Sequence, residues 1–464
     1  MKLRIAIVFL LWMITGCAVA GEGNRVPQTE KPNIILILTD DQPYDSLQYM
    51  PIVQTELAQK GIVFENAYVT TPLCCPSRAS IFTGLYAHNH NVKTNRMPVG
   101  GATVFDDSST LALWLSQAGY QTALMGKYLN DYDALPEGYI PPGWSEWDAF
   151  VSKDPNRNFY FNYTLNENGT IKQYGLDQED YSTDVLCEKA VDFIHSNSDK
   201  PFFMMVSLYS PHLPYMAADR HTDLFKQYNE YFSPYRPPNY YEADLSDKPK
   251  WLSSAIPPEK ETVDGVYQRM LRSLAAVDDG VERIVTALDE EGIRNNTMVI
   301  FMSDNGYALG DHALLGKACP YDECLHVPMV ISYPDQIKQQ QVNSDFVLNI
   351  DLAPTIMELV GKPNASIYDG QSFLSLLNNE GSFDRDGFLF EQYQDDGEEK
   401  SRTSLVPAYV GFRTTEWKYI EYETGERELY NLMDDPYEME NLASKPQYET
   451  LMQELLTRIH EIRP

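Results

Sequence analysis

The sequence predicts an α/β protein with a large mixed, mostly parallel central sheet, followed by a small C-terminal α+β domain with an antiparallel sheet. Three observations carry this. Residues 33–39 and 297–303 are unbroken, largely apolar runs, as expected of parallel strands buried on both faces. Strand-like and helical periods alternate as far as about Leu377, the order that builds parallel pairs. From Phe388 onward short strand-like runs follow one another without helices, which favours antiparallel pairing. The expected boundaries are a leader over 1–20, a polar tether over 21–31, a main domain over 32–380 and a C-terminal subdomain over 381–464.

The 464 residues give ample length for one large α/β domain and a smaller one. Lys and Arg number 36 against 67 Asp and Glu, a net charge of −31. Such a surface repels polyanions, which argues against general nucleic-acid binding and against attraction to anionic membranes. An anionic substrate needs a locally basic pocket, screened from the global field over roughly 8–10 Å at ordinary salt. Residues 1–20 begin with Met1-Lys2-Leu3-Arg4 and run into an apolar stretch over 5–14, a secretory signal too short for a stable span. Ile14-Thr15-Gly16-Cys17 resembles a bacterial lipobox that would leave a lipidated Cys17, whereas Ala18-Val19-Ala20 suits cleavage before Gly21. Either reading exports the protein, as a periplasmic, outer-membrane or cell-surface lipoprotein or as a secreted one. Its membrane contact is confined to that N-terminal anchor. Six Cys in so long a chain make no disulfide scaffold, although Cys319 and Cys324 are near enough to pair in an oxidising compartment. Asn-x-Ser/Thr sites at Asn162, Asn168, Asn295 and Asn364 matter only in a eukaryotic secretory host.

The first strand ends in Asp40-Asp41. Adjacent carboxylates repel unless solvent or a cation relieves them, and ligands of open α/β sheets sit beyond the strand carboxyl ends. A strand over 61–69 leads to a turn closed by Pro76, with Ser77 placed to N-cap a short helix. Cys74 then falls just outside the helix N-terminus, where unpaired N–H groups favour an anion, and Arg78 adds a positive charge one turn in. An activated Cys aimed at an anionic substrate and a buried structural pair of Cys74 with Cys75 both fit. His88-Asn89-His90 has a spacing that suits zinc, but no Cys or His cluster accompanies it. The triplet reads as polar groups of a pocket or as a satisfied structural histidine. A helix over 108–118, capped by Ser108 or Ser109 and stopped at Gly119, precedes a strand over 120–125. That strand delivers Lys127, a solvated loop charge or an anion clamp.

Residues 131–180 read as an insertion, broken by Pro136, Pro141-Pro142 and Gly143, with a hairpin of 159–163 and 170–174 around Asn168-Gly169. A helix over 183–196 and a strand over 202–208 bring Ser210-Pro211-His212 to another strand end. Residues 213–260, rich in Tyr and Pro, form a long loop that shapes sugar subsites or simply packs. Val266, Met270, Leu274, Val277, Val281 and Leu288 stripe a long helix over 263–291. The strand over 297–303 ends in Asp304-Asn305-Gly306. Asp40, Asp41, Asp304 and Asn305 offer hard oxygen ligands without thiolate or imidazole, which points to calcium, with magnesium behind it. Lys317 lies in a loop before a strand over 327–333. Strands over 388–392, 408–414, 417–421 and 428–431 and a helix over 448–462 complete the chain.

Cys74-x-Pro76-Ser77-Arg78, followed by Ala79-Ser80-Ile81-Phe82-Thr83-Gly84, resembles the signature of the formylglycine-dependent (type I) sulfatases. Thr39-Asp40-Asp41, Gly126-Lys127, Ser210-Pro211-His212, Ser303-Asp304-Asn305-Gly306-Tyr307, Gly316-Lys317 and Glu428-Leu429-Tyr430-Asn431-Leu432 look like further blocks of that family, in order. The resemblance runs from Asn33 to about Leu442. Cys74–Arg78, His88-Asn89-His90 and Gly126–Asn130 are most similar to the N-acetylglucosamine-6-sulfatases and the heparan 6-O-endosulfatases. It implies an alkaline-phosphatase-like sandwich that hydrolyses sulfate monoesters of a sulfated oligo- or polysaccharide. The expected substrate is a 6-O-sulfated hexosamine of a glycosaminoglycan, or a sulfated algal polysaccharide such as ulvan.

The same resemblance implies that a formylglycine-generating maturation enzyme oxidises Cys74 while Cys75 stays a thiol. One calcium would be held by Asp40, Asp41, Asp304, Asn305 and the modified Cys74. Arg78 would orient the hydrated aldehyde, Lys127 and Lys317 would clamp the sulfate, and His212 would protonate the leaving alkoxide. His88, His90 and Asn130 would line the substrate. One departure is plain: many arylsulfatases carry His two residues after this Lys, where the chain has Leu129, so that role falls to Asn130 or His88. Two other readings use the same residues. A phosphonate or phosphate monoester hydrolase shares the fold, and a non-catalytic surface lipoprotein that binds sulfated glycan is expected if Cys74 is never matured.

Overall fold

The first apolar run becomes strand β1 (Asn33–Thr39), buried along its whole length. Ile35 and Ile37 join one core while Ile34, Leu36 and Leu38 join another, the two-sided burial that an unbroken apolar strand implies. The computed structural model describes residues 31–151, 158–226, 236–337, 340–377, 383–394 and 405–464. The expected leader, Cys17 and the tether up to residue 30 lie outside the described residues.

After β1 come β2 (Ile62–Phe64), β3 (Ala67–Tyr68), β4 (Gln121–Gly126), β5 (Glu146–Val151), β6 (Thr164–Glu167) and β7 (Thr170–Gln173). Then follow β8 (Phe202–Ser207), β9 (Thr297–Ser303), β10 (Ala308–Leu309), β11 (Leu315–Gly316), β12 (Met329–Ser332), β13 (Gln341–Asn343) and β14 (Val347–Leu348). The main sheet runs β13-β2-β12-β9-β1-β8-β4-β5-β6-β7. Its five central strands, β9, β1, β8, β4 and β5, are parallel, while β12, β6 and β7 enter antiparallel.

The helices are α1 (Cys74–Thr83), α2 (Ala87–His90), α3 (Leu111–Gln117), α4 (Ser182–Asn197) and α5 (Lys250–Ser253). They continue with α6 (Lys260–Glu290), α7 (Asp322–Leu325), α8 (Leu352–Leu359), α9 (Leu374–Leu377) and α10 (Glu449–Ile462). Leu186 and Ile194 of α4 and Leu274 and Val281 of α6 share the core of Ile35 and Ile37. Ile81 of α1, Leu115 of α3 and Ile356 of α8 cover the opposite face. The small sheet, β15 (Gly387–Gln392), β16 (Tyr409–Thr414), β17 (Trp417–Tyr422) and β18 (Arg427–Asn431), is antiparallel in chain order. Met452, Leu455 and Ile459 of α10 pack on it, in a core that also takes in Tyr68, Leu325, Phe346 and Ile350.

Several expected elements differ. The strand over 61–69 is two strands separated at Glu65-Asn66: β2 joins the main sheet and β3 pairs with β14. The polar pair Glu65-Asn66 interrupts the apolar pattern at this point, but a change of partner cannot be read from it. Residues 131–180 are an extension of the sheet rather than an inserted unit, adding β5, β6 and β7 to its edge. The hairpin there pairs β6 with β7, not 159–163 with 170–174. Asn168 and Gly169 have φ of +49° and +90°, and so tight a two-residue turn forces pairing to begin at Glu167 and Thr170. Thr110, not Ser108 or Ser109, caps α3, its hydroxyl accepting the Leu113 N–H. Cys319 and Cys324 form a disulfide. Among the described residues no helix is long and apolar enough to cross a membrane.

The long helix α6 carries a buried carboxyl with a measurable consequence. Asp278 accepts the backbone N–H groups of Ile52 and Val53, both at 2.9 Å. Burial pushes its pKa up to about 6 against those two donors, and burial likewise lifts Asp148 and Asp311 to about 6. A carboxyl whose folded pKa is raised holds its proton more tightly folded than unfolded. Its contribution to stability is full below pH ~4 and is lost as pH rises through about 6. These carboxyls are therefore expected to lower the thermal midpoint between about pH 5 and about pH 7.5. Against them stand buried His90, His312 and His326, whose pKa burial brings down to about 4 and whose contribution rises over the same range. The Asp278 share is read by circular dichroism at fixed salt, as the difference between wild type and variant at each pH. Asp278→Ala strands two N–H donors and is expected to cost about 2 kcal/mol while flattening that slope.

Candidate active site

Four strand ends meet at the carboxyl edge of the parallel sheet. Thr39 of β1 lies opposite Ser303 of β9, and Ser207 of β8 lies opposite both Leu38 and Gly126. The residues that follow, Asp40-Asp41, Asp304-Asn305, Lys127 and His212, are thereby brought together. The register is held by backbone bonds, Asp304 N–H to Thr39 O at 3.0 Å and Asp40 N–H to Ser210 O at 3.1 Å. Asp41 takes a left-handed backbone, φ +67°, a conformation Asp tolerates better than most residues.

Helix α1 starts at Cys74, with extended Leu73 before it and no side-chain cap. This corrects the expectation that Ser77 caps the helix and leaves Cys74 outside it. Pro76 sits in the first turn, where a missing N–H costs nothing, and the Ser77 hydroxyl instead accepts from Asn349 Nδ2 at 2.9 Å. Cys74 is 1% exposed. Its Sγ lies 3.3 Å from Asp40 Oδ1, 3.9 Å from Asp41 Oδ1 and 2.6 Å from Lys317 Nζ. Burial and then the Asp40 charge push the thiol well above its ordinary pKa, so the unmodified side chain is a protonated thiol rather than an activated one.

Cations and carboxylates interlock around it. Lys127 Nζ pairs with Asp40 Oδ2, and Lys317 Nζ lies 2.5 Å from Asp41 Oδ1. Arg78, fully buried, donates from Nε to Asp304 Oδ2 at 2.8 Å and from Nη1 to Lys127 O at 2.9 Å and Ser207 Oγ at 2.5 Å. Burial opposes the Asp40 charge, but Lys127, His212, Arg78 and Lys317 together hold its pKa far below the usual carboxylate range. Asp304, equally buried and next to charged Asp40, is lifted to about 6. Burial also opposes the lysine charges, and Asp40 for Lys127 and Asp41 for Lys317 more than restore them. His212 Nδ1 lies 2.9 Å from the Leu213 carbonyl, an acceptor, so that nitrogen carries the hydrogen. Its Nε2 faces Asp41 Oδ2 at 3.6 Å.

The donor set fits a hard divalent cation. Asn305 Nδ2 donates to Asp41 Oδ1 at 2.8 Å and to Gly306 O at 2.9 Å, and its Oδ1 is buried without a hydrogen-bond partner. An orphaned amide oxygen beside three buried carboxylates is what an oxygen-liganded metal site requires. Ligand atoms of Asp40, Asp41, Cys74 and His212 lie within 4.8 Å of one another.

The remaining expected residues divide. His90 bonds Ser80 Oγ at 3.1 Å through Nε2 and accepts the Val92 N–H at 3.1 Å through Nδ1. Burial brings its pKa down to about 4, leaving a satisfied neutral histidine. His88 places its N–H and Nδ1 3.0 and 2.8 Å from Glu391 Oε1, tying α2 to β15. The structure thus joins both histidines to neighbours other than the Cys74 cluster. Asn130 lines a small cavity with Lys127, Phe150 and Phe159, its Oδ1 buried and unpartnered. Sequence reasoning passed over Ser207, whose hydroxyl also donates to Lys127 O at 2.5 Å, because a Ser inside a buried strand carries no signal. It also passed over Tyr215, whose hydroxyl lies 3.0 Å from that of Tyr307.

Comparison with known proteins extends the same picture. A family model described as Sulfatase matches residues 32–362, and one described as N-sulphoglucosamine sulphohydrolase, C-terminal, matches residues 310–464. N-acetylglucosamine-6-sulfatase of Homo sapiens is 32% identical over 97% of this chain and 87% of its own length. The extracellular sulfatase SULF-1 homolog of Drosophila melanogaster is 38% identical over 75% of this chain. This chain spans 31% of that relative's length and 49% of a putative SULF-1 homolog of Caenorhabditis elegans. A protein solved in complex with its substrate D-glucosamine-2-N,6-O-disulfate has a TM-score of 0.80 at 26% identity, over 93% of this chain and 97% of its own. The expected alkaline-phosphatase-like architecture, a mostly parallel main sheet with a small antiparallel one, is the architecture observed. With a matching family model over most of its length and relatives aligned nearly end to end, the chain belongs to the sulfatase family.

Proposed function

We propose that the protein is an exported sulfuric ester hydrolase that removes 6-O-sulfate from a glucosamine-type unit of a sulfated saccharide, using formylglycine made from Cys74. One observation carries the reading: Cys74 opens α1 with its Sγ 3.3 Å from Asp40 and 2.6 Å from Lys317, among buried hard-oxygen ligands. The substrate class rests on similarity to N-acetylglucosamine-6-sulfatases of Homo sapiens and Bacteroides thetaiotaomicron and to the protein solved with a 6-O-sulfated glucosamine. Calcium would be held by Asp40, Asp41, Asp304, Asn305 and an oxygen at position 74. Bound there, the cation supplies Lewis-acid stabilisation, and the hydrated aldehyde supplies a nucleophilic hydroxyl and a second one able to expel sulfate.

The chain's own residues divide the remaining work. Arg78, Lys127 and Lys317 balance Asp40, Asp41 and Asp304, three charges against three. With a divalent cation held by those carboxylates the local sum would be +2, and the Lys127 and Lys317 ammoniums would be free to pair with sulfate oxygens. That is the locally basic pocket a chain of net charge −31 needs. Arg78 braces Asp304 and the Lys127 backbone, while Nη2, 3.6 Å from Asp40 Oδ2 and without a hydrogen bond, would orient an oxygen at position 74. His212 Nε2 delivers a proton to the departing sugar oxygen. Asn130 offers its orphaned Oδ1 to a sugar hydroxyl. Because Cys74 is 1% exposed within a helix, a maturation enzyme has to meet the chain before it folds. Export rests on the N-terminal signal, with Cys17 as the lipidation site.

Peptide mass spectrometry across Thr71–Arg78 of protein from its own host tests the reading. A thiol-to-aldehyde mass change at Cys74, with Cys75 unchanged, supports it, and an unmodified Cys74 leaves a glycan-binding lipoprotein. A preference for aryl phosphate over the matched aryl sulfate would transfer the reaction to phosphoester hydrolysis. Removal of divalent cations with EDTA is expected to abolish turnover. Calcium at a hundred times its Kd should raise stability by about 2.7 kcal/mol in a thermal-shift titration, and Asn305→Ala should weaken that response.

A further inference from the structure

We propose that Arg269 forms an anion subsite beside the catalytic centre, taking a second anionic substituent, sulfate or carboxylate, of the saccharide whose ester is cleaved. The proposal rests on the sulfatase reading above and deepens it. Arg269, exposed on α6, has its guanidinium carbon 5.7 Å from the centre of the Tyr215 ring. The Tyr215 N–H donates to the His212 carbonyl at 3.0 Å, and the Tyr215 hydroxyl lies 3.0 Å from that of Tyr307, two residues beyond Asn305. A line of contacts therefore runs from this guanidinium to His212 on one branch and to the Asn305 segment on the other. Both tyrosines lie within the electrostatic reach of Asp41 and Lys317.

The charge of Arg269 is not consumed locally. Among the described residues it enters no ion pair, and its helix neighbours three and four positions away are Gly265, Val266, Arg272 and Ser273, none of them acidic. Arg272 spends its Nε on the Leu224 carbonyl at 2.6 Å, so Arg269 is the guanidinium of the two that stays available. Two like charges three residues apart disfavour the helix unless something anionic relieves them. In a chain of net charge −31, an arginine that rests on Tyr215 and enters no ion pair among the described residues is a local reversal of sign. A guanidinium seated over an aromatic face keeps its N–H edge for two-pronged contact with a carboxylate or sulfate.

The test compares wild type, Arg269→Ala and Arg269→Lys on three substrates. These are glucosamine 6-O-sulfate, glucosamine 2-N,6-O-disulfate, and a disaccharide that joins a uronic acid to 6-O-sulfated glucosamine. Arg269→Ala is expected to lower kcat/KM about tenfold, through KM, wherever the second anion is present, and by less than about twofold on the monosulfated sugar. Lys should restore part of the loss, and added salt should shrink it. Which of the two charged substrates responds identifies the anion. An equal change on all three substrates, or none, overturns the subsite. Failure of the sulfatase reading shows separately, as a wild type inactive on every sulfate ester. In that event, calorimetric binding of glucosamine 2-N-sulfate still decides, a loss of about tenfold in Arg269→Ala supporting the subsite and unchanged binding overturning it.

Discussion

The Cys74→Ala protein is expected to fold and to lose turnover of every sulfate ester by at least about 10⁴-fold. The structural cost is small: one buried sulfur is lost, roughly 1 kcal/mol, and the strand ends that hold Asp40, Asp304 and Lys127 are untouched. The chemical cost is total, because Lys317, Asp40 and Asp41 converge on that one atom. Cys74→Ser tests the same point from the other side, leaving a single hydroxyl with no second one to expel sulfate. Cys75→Ala is the matched control. Cys75 is buried in the core with Ile81 and Val92, and burial pushes its thiol up to about 12. That variant should lose about 1 kcal/mol in stability and keep its kcat/KM. If the two alanine variants behave alike, Cys74 and Cys75 are a structural pair and the nucleophile assignment is wrong.

How much of this was legible depended on whether a signal is local. Asp40-Asp41 and Asp304-Asn305 could be found because unbroken apolar strands stop there, and strand ends are where an α/β sheet binds. Lys127 and His212 also follow strand ends, but what they do there is implied by the resemblance rather than by that rule. The start of α1 is not legible locally, because Pro76-Ser77 looks like a cap whereas the Ser77 hydroxyl is spent on Asn349, 272 positions away. His88 drew attention by its spacing from His90, yet its partner is Glu391, 303 positions away on the small sheet. Tyr215 and Tyr307 meet only because β8 and β9 flank β1. Periodicity reports which elements form and where they end. It does not report which side chains meet across hundreds of residues, and the second layer of this site is built from such pairs.

His212 divides the chemistry in a way that the choice of leaving group exposes. His212→Ala is expected to cost about 10²–10⁴-fold in kcat on a sugar sulfate, whose alkoxide leaves only with a proton. On 4-nitrophenyl sulfate, whose phenolate leaves unaided, the loss should stay within about tenfold. The geometry behind this is a ring fixed by its Nδ1–H on the Leu213 carbonyl at 2.9 Å. The neutral ring takes up a proton at Nε2, and the imidazolium, which burial disfavours and Asp41 and Asp40 favour, presents that Nε2 proton on the Asp41 side. The competing role is ligation, since the imidazole also lies within 4.8 Å of ligand atoms of Asp40, Asp41 and Cys74. A lost ligand would weaken calcium binding and slow both substrates alike, because both need the cation. Unequal losses with an unchanged calcium titration therefore assign His212 the proton, whereas equal losses with a weakened titration would assign it the metal.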